Sequence, residues 1–196
     1  MSASLAAPVA PVLPVLSTRE QIVRAARRLI RTRSYLGFSF QDVADEIGIR
    51  KASLYHHFPS KEALGIEVMR ESNQSFKAWA ARPRAPAEAL DAYFLMYRNG
   101  LQAGSAVCPA GALAPGWDCI EDELRQTVRE LRDTQLMWLT GVLGALVHGA
   151  AKPVSAGALA ACVFATSQGA LLSARMSGRP EDFDLVVDQI KAMLPT

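Results

Sequence analysis

Apolar residues recur at spacings of three and four along almost the whole chain, and no segment sustains the β-branched alternation of a strand. That periodicity predicts an all-α architecture whose boundaries are written in Gly and Pro. A first helix is expected over residues 18–33, with Ile22, Ala25, Ala26, Leu29 and Ile30 on one face and Arg24, Arg27, Arg28 and Arg31 elsewhere. Ser17 or Thr18 can cap it, because a side-chain oxygen accepts from the free N–H groups of the first turn. Ser39 is placed to cap a second helix over 40–47, with Phe40, Val43, Ala44 and Ile47 inward, and Gly48 breaks it. A third short helix over 51–58 is closed by Pro59, and Ser60 caps a fourth over 61–81, with Pro83 and Pro86 beyond its end. Further helices are expected over 87–103, 118–148, 155–177 and 180–193. The segment 104–117 is the least regular, with a helical turn over 110–113.

Charge is unevenly placed. Residues 17–61 hold nine Lys/Arg against four Asp/Glu, whereas the remainder is mildly acidic and the net charge is only +2. A basic first third on such a body suits a polyanion-binding head joined to a unit with another task. A solvated helix face often carries as many charges. No uninterrupted apolar run approaches the roughly 18 residues of a membrane span, so no membrane partner is expected. Residues 1–16 lack a basic start and carry Pro8, Pro11 and Pro14, which reads as an extended arm rather than a secretory signal. Cys108, Cys119 and Cys162 are odd in number and lack the spacing of a zinc site, so a reducing cytoplasm is expected, without metal or cofactor.

Two short helices joined by a Gly-containing turn, the second opening on basic and small polar residues, are what reading of a DNA major groove requires. The groove admits one helix, so base contacts must come from its exposed N-terminal end, here Arg50, Lys51, Ala52 and Ser53, followed by Tyr55, His56 and His57. Leu54 and Phe58, four residues apart, would anchor that helix. Tyr55 and the histidines can bond phosphates, and Lys61 with the free N–H groups of the fourth helix offers another phosphate site. The ring of Tyr55 can equally pack, leaving only its hydroxyl for phosphate. His56 and His57 diverge by about 100° on a helix and have no third ligand nearby, which argues against metal. The arginines of the first helix fit a solvated face as well as a DNA contact.

These residues resemble the TetR family of bacterial repressors. The match runs over 18–64, above all Phe38-Ser39-Phe40-Gln41-Asp42-Val43-Ala44-Asp45-Glu46-Ile47-Gly48-Ile49 and Lys51-Ala52-Ser53-Leu54-Tyr55-His56-His57-Phe58-Pro59-Ser60-Lys61-Glu62-Ala63-Leu64. The resemblance implies a three-helix head over 17–62 and a larger ligand-binding and dimerisation body over 63–196. It places Ser39 and Gln41 where the family meets DNA, and Lys51, Ala52, Ser53, Tyr55, His57 and Lys61 at its base- or phosphate-contacting positions. Ala52 stands where Gly is often found, and Ser34 replaces a common Gly before Tyr35. The partners implied are double-stranded operator DNA, a second copy of the chain and a small-molecule effector.

In the body, Cys108-Pro109-Ala110-Gly111-Ala112-Leu113-Ala114 and the later Trp138-Leu139 resemble family branches with a Cys-Pro-x-Gly-x-Leu element, some of which respond to drugs, aromatic compounds or electrophiles. The effector-facing candidates are Tyr93, Met96, Tyr97, Cys108, Trp117 and Trp138, with Met137 read beside them as interior. All of these serve equally as core, and Cys108 fits either a reactive thiol at a helix start or plain packing. The small residues of 155–177 suit close helix approach, and the resemblance makes this helix and the last one the dimer bundle. An enzyme in the body is disfavoured, because His148 is its only histidine and no nucleophile, base or ligand grouping accompanies it. A purely architectural DNA binder would not need so aromatic a body.

Overall fold

The computed structural model describes residues 16–104, 106–148 and 155–194, so residues 1–15 of the expected arm lie outside the described residues. Among the described residues every element is helical: α1 (Thr18–Arg33), α2 (Phe40–Ile47), α3 (Lys51–His57), α4 (Lys61–Ala80), α5 (Pro86–Gln102), a 3-10 segment (Gly111–Cys119), α6 (Asp122–Leu146), α7 (Ala156–Ser177) and α8 (Glu181–Met193). Local chemistry sets most of these bounds. Ser17 and Glu20 form a reciprocal cap on α1, and Ser39 and Asp42 do the same on α2, with Ser39 N–H donating to the Asp42 carboxylate at 2.7 Å. The hydroxyl oxygens of Ser60 and Ser155 accept from Ala63 and Ala158 N–H at 3.0 and 3.3 Å. Gly48, at φ 72°, turns the chain from α2 into α3 while Ile49 N–H reaches the Ala44 carbonyl at 3.0 Å.

One bound and one burial differ from expectation. The helix expected over 118–148 begins only at Asp122, because Trp117 and Cys119 belong to the 3-10 segment and Ile120 is extended, at φ −115° and ψ 149°, with its side chain buried. Arg125 Nε satisfies the carbonyl of Trp117 at 3.1 Å, which fixes this break. Met137 is not interior: it is 76% exposed on the outer side of α6.

Ser34 caps the C-terminus of α1 at φ 66° and ψ 169°, a conformation that is nearly glycine's alone. Such a residue costs about 1–3 kcal/mol. Ser34→Gly is therefore expected to raise stability by about that amount, read as a higher urea midpoint with an unchanged slope; an unchanged midpoint would show that Ser34 carries no strain.

Ile22, Ala26, Leu29, Val43, Leu54 and Phe58 close a core among α1, α2, α3 and the start of α4, with Ile47 only partly buried. In the body α6 packs against α4, α5 and α7, α8 packs on α7, and α5 also touches α7 and α8. Tyr93, Leu131, Leu139 and Phe183 fill its centre. Head and body meet at Gly65 of α4, where an added Cβ would lie 3.0 Å from the Tyr35 ring and 3.2 Å from Leu124. A second joint lies at the end of α1. The Arg31 carbonyl accepts from Val107 N–H at 3.2 Å, and Arg175 of α7 donates to the carbonyls of Arg31 and Thr32.

By length and composition α7 is apolar enough to cross a membrane. Val163, Ser167, Leu171 and Ala174 are buried against the body, and Arg175 is spent on α1, but most of the helix is not buried within the protomer. Leu172 and Met176 of α7 and Leu185 and Met193 of α8 face outward, leaving an apolar surface on this pair.

Candidate functional site

The short helix α3 splits into two faces. Leu54 and Phe58 are buried, whereas Lys51, Ala52, Tyr55, His56 and His57 are exposed and Ser53 is half-buried. No side chain caps the N-terminus of α3; Ser53 N–H turns back to the Arg50 carbonyl at 2.9 Å, and Arg50, Lys51 and Ala52 are exposed there together. Tyr55, 52% exposed, rests its ring on Phe40 with centroids 5.2 Å apart, which fixes the helix face while leaving the hydroxyl outward. Two ion pairs frame this surface: Arg28 pairs with Glu46, and Arg33 with Asp42 at 3.1 Å.

Three of the sequence-named residues are already engaged. Ser39 spends its hydroxyl on the α2 cap, and its hydrogen bonds hold the Asp42 carboxyl below the usual carboxylate range. Gln41 is exposed and its amide donates to Asp45 at 2.7 Å. Lys61 turns inward, which its sequence position does not reveal. Its ammonium donates to the Phe38 carbonyl and lies 4.6 and 4.3 Å from the Tyr35 and Phe38 ring centroids, and burial lowers its pKa from the ordinary value. The structure thus gives Lys61 a role in holding the α1–α2 turn on α4.

In the body, a cavity of about 440 Å³ lies among α1, α4, α5, α6 and the loop at Pro109. Of the residues named from sequence, only Met96 and Tyr97 line it. Tyr93 and Trp138 stand behind them in an aromatic cluster, with Trp138 5.1 Å from Trp79, 5.8 Å from Phe76 and 5.7 Å from Tyr93. Cys108 is fully enclosed at the back: its Sγ is 3.7 Å from the Tyr97 hydroxyl oxygen and accepts from Gln135 Nε2 at 3.9 Å, while Tyr97 donates to Gln135 Oε1 at 2.5 Å. Burial pushes the Tyr97 phenol well above its ordinary value, so it remains a donor. Trp117 lines a separate cavity of about 290 Å³ with Phe164, Gln168 and Leu172. Gly111 makes that contact possible, because a Cβ there would meet Gln168 Oε1 at 2.7 Å.

Sequence reasoning missed Arg27, Arg31, Ser72, Phe76, Trp79 and Gln135, all of which line the larger cavity. The spacing of Arg27 and Arg31, one turn apart on the flank of the α1 apolar face, was the available signal.

Residues 22–68 match the family model described as "Bacterial regulatory proteins, tetR family". The chain is 31% identical over 120 residues to the HTH-type transcriptional regulator LmrA of Bacillus subtilis, covering 58% of this chain and 64% of that protein. It is 38% identical over 65 residues to the HTH-type transcriptional repressor KstR2 of Mycolicibacterium smegmatis, covering 33% and 31%. The chain therefore spans less than two thirds of the length of these relatives. Among solved structures, a TetR-family regulator from Agrobacterium tumefaciens superposes with a TM-score of 0.84 at 29% identity, over 91% of this chain and 97% of that one. A matching N-terminal segment and a shared fold along nearly the whole chain carry one conclusion: the chain is similar to the TetR family of bacterial regulatory proteins in its head and in its fold.

Proposed function

We propose that this protein is a homodimeric transcriptional repressor, cytoplasmic like the DNA it serves, that reads a palindromic operator with α3 and is released by a small effector taken into the body. The observation that carries the reading is the division of α3 into a buried Leu54–Phe58 anchor and an outward Lys51, Ala52, Tyr55 and His57 surface at an uncapped helix start. A helix so held can enter the major groove end-on while its neighbours rest on the backbone. The relatives support regulation rather than catalysis, since LmrA and KstR2 are a transcriptional regulator and a repressor. The outward apolar residues of α7 and α8 support pairing of two copies through these helices. The Cys108-Pro109-Ala110-Gly111-Ala112-Leu113 element supports a place in the family branch that carries it, and the enclosure of Cys108 favours a packing role over a thiol sensor.

Release by about a hundredfold requires roughly 2.7 kcal/mol of difference in effector affinity between the DNA-competent and DNA-incompetent shapes. DNA must then weaken effector binding by the same factor. Gel shifts at matched salt test the reading. Lys51→Ala is expected to weaken operator binding by about 1–3 kcal/mol and nonspecific binding less, as for a base contact. Tyr55→Phe is expected to weaken both alike, as for a phosphate contact. An operator affinity unchanged in Lys51→Ala would remove that side chain from the reading surface.

A further inference from the structure

The wall of the 440 Å³ cavity is aromatic and apolar at Phe76, Trp79, Tyr97 and Leu131, yet it holds two guanidinium groups from one helix, Arg27 and Arg31. Only one carboxylate answers them. Arg27 Nη2 pairs with Glu71 at 2.5 Å, while Arg27 Nε is buried without a partner. Arg31 gives its Nε to the Val107 carbonyl at 2.8 Å and has no carboxylate partner among the described residues. Burial holds its pKa below the ordinary arginine value, with the Arg27 charge adding to the effect. A partly desolvated cation facing an apolar cavity is stabilised when an anion joins it. The seat is also built for the group: Gly100 packs against it so closely that a Cβ there would lie 2.8 Å from Arg31 Nη2. The cavity reaches solvent past the exposed Ser75 and Asn99.

We propose that the cavity binds a small organic acid, its carboxylate on Arg27 and Arg31 and its aromatic or branched apolar body against Phe76, Trp79 and Tyr97. This rests on the reading that the body cavity is the effector site, and it names the chemistry that site selects. A carboxylate supplies the missing charge and accepts from the free donors of both forks, which a neutral amide or alcohol of the same shape does only in part. Occupancy also acts on the joint already described, because the backbone carbonyl of Arg31 is the acceptor for Val107 and Arg175. An anion that draws Arg31 toward the cavity pulls on the end of α1 where the head is fastened to the body.

The test uses the full chain and matched probes: benzoate, phenylacetate, 3-phenylpropionate and 4-methylvalerate, each beside its primary amide, titrated at constant ionic strength with tryptophan emission as the readout. At least one acid is expected to bind about tenfold or more tightly than its amide, the difference a charged hydrogen bond makes. Arg31→Gln is expected to bring acid and amide within about twofold. Arg31→Lys is expected to keep part of the preference. Gly100→Ala, which displaces the guanidinium without removing its charge, is expected to weaken the acid more than the amide. The proposal is overturned if no acid binds, if amides bind as well as acids to the parent, or if Arg31→Gln keeps the parent's preference in a protein with the parent's circular dichroism. Operator gel shifts with the same probes separate the two ideas. Acids that bind with the expected preference but leave operator affinity unchanged uphold the anion site and defeat the effector reading. Release of operator by amides alone defeats the anion site and leaves the effector reading standing.

Discussion

Met176→Glu combined with Leu185→Glu is expected to give a folded monomer whose operator affinity is lower by roughly 10²–10⁴-fold, because two linked heads bind far more tightly than one. Both side chains point away from their own protomer, at 82% and 69% exposed, so glutamate there removes little internal packing. In a dimer joined through α7 and α8 the same positions place like charges on the apolar contact, which each copy must then desolvate. Sedimentation equilibrium reads the assembly and gel shifts read the affinity. A double variant that stays dimeric and binds operator as the parent does would move the dimer contact away from this face.

Leu54→Ala is expected to cost about 2–5 kcal/mol, the range for emptying a fully buried leucine site. Leu54 has no exposed surface and is the only fully buried residue within α3, so the helix depends on it and on the neighbouring Phe58 for its seat. A helix of seven residues has no stability of its own to fall back on. Amide exchange should therefore quicken first in α2 and α3, with α6 and α7 remaining protected, and operator binding should fall together with head stability. A loss under about 1 kcal/mol would mean that the α3 backbone is held by its turns rather than by this side chain.

Most helix bounds could be read from the sequence, and the reason is local. Ser17, Ser39, Ser60, Ser155 and Gly48 satisfy or terminate helix ends with groups only a few residues away, so their meaning survives without tertiary context. The start of α6 was not readable, because residues 117–120 have two locally acceptable paths and the choice is made by Ile120 going into the core and Arg125 reaching back to Trp117. The division of α3 into a buried and an outward face was equally plain, since one short helix carries both. The cavity was not. Its lining is drawn from α1, α4, α5, α6 and a loop, so membership depends on how those elements lean. Thus Tyr93, Trp138 and Cys108 fall behind the wall, Trp117 falls in another cavity, and Arg27 and Arg31, which fitted a solvated face as well as a DNA contact, become part of it. Lys61 shows the same limit in the head, where a residue expected from the sequence to contact phosphate is claimed by a carbonyl and two rings.

Arg175 gives the outward face of α7 a further meaning. The helix that carries Leu172 and Met176 on its surface also grips the last carbonyls of α1 through that one side chain, so the proposed seam between two copies and the proposed DNA-holding head share a strut. In a dimer paired through α7, the distance between the two grooves that can be read at once is inherited from the crossing angle of the bundle. Drift in that angle, by residues that never approach DNA, then retunes which spacing of half-sites the regulator recognises.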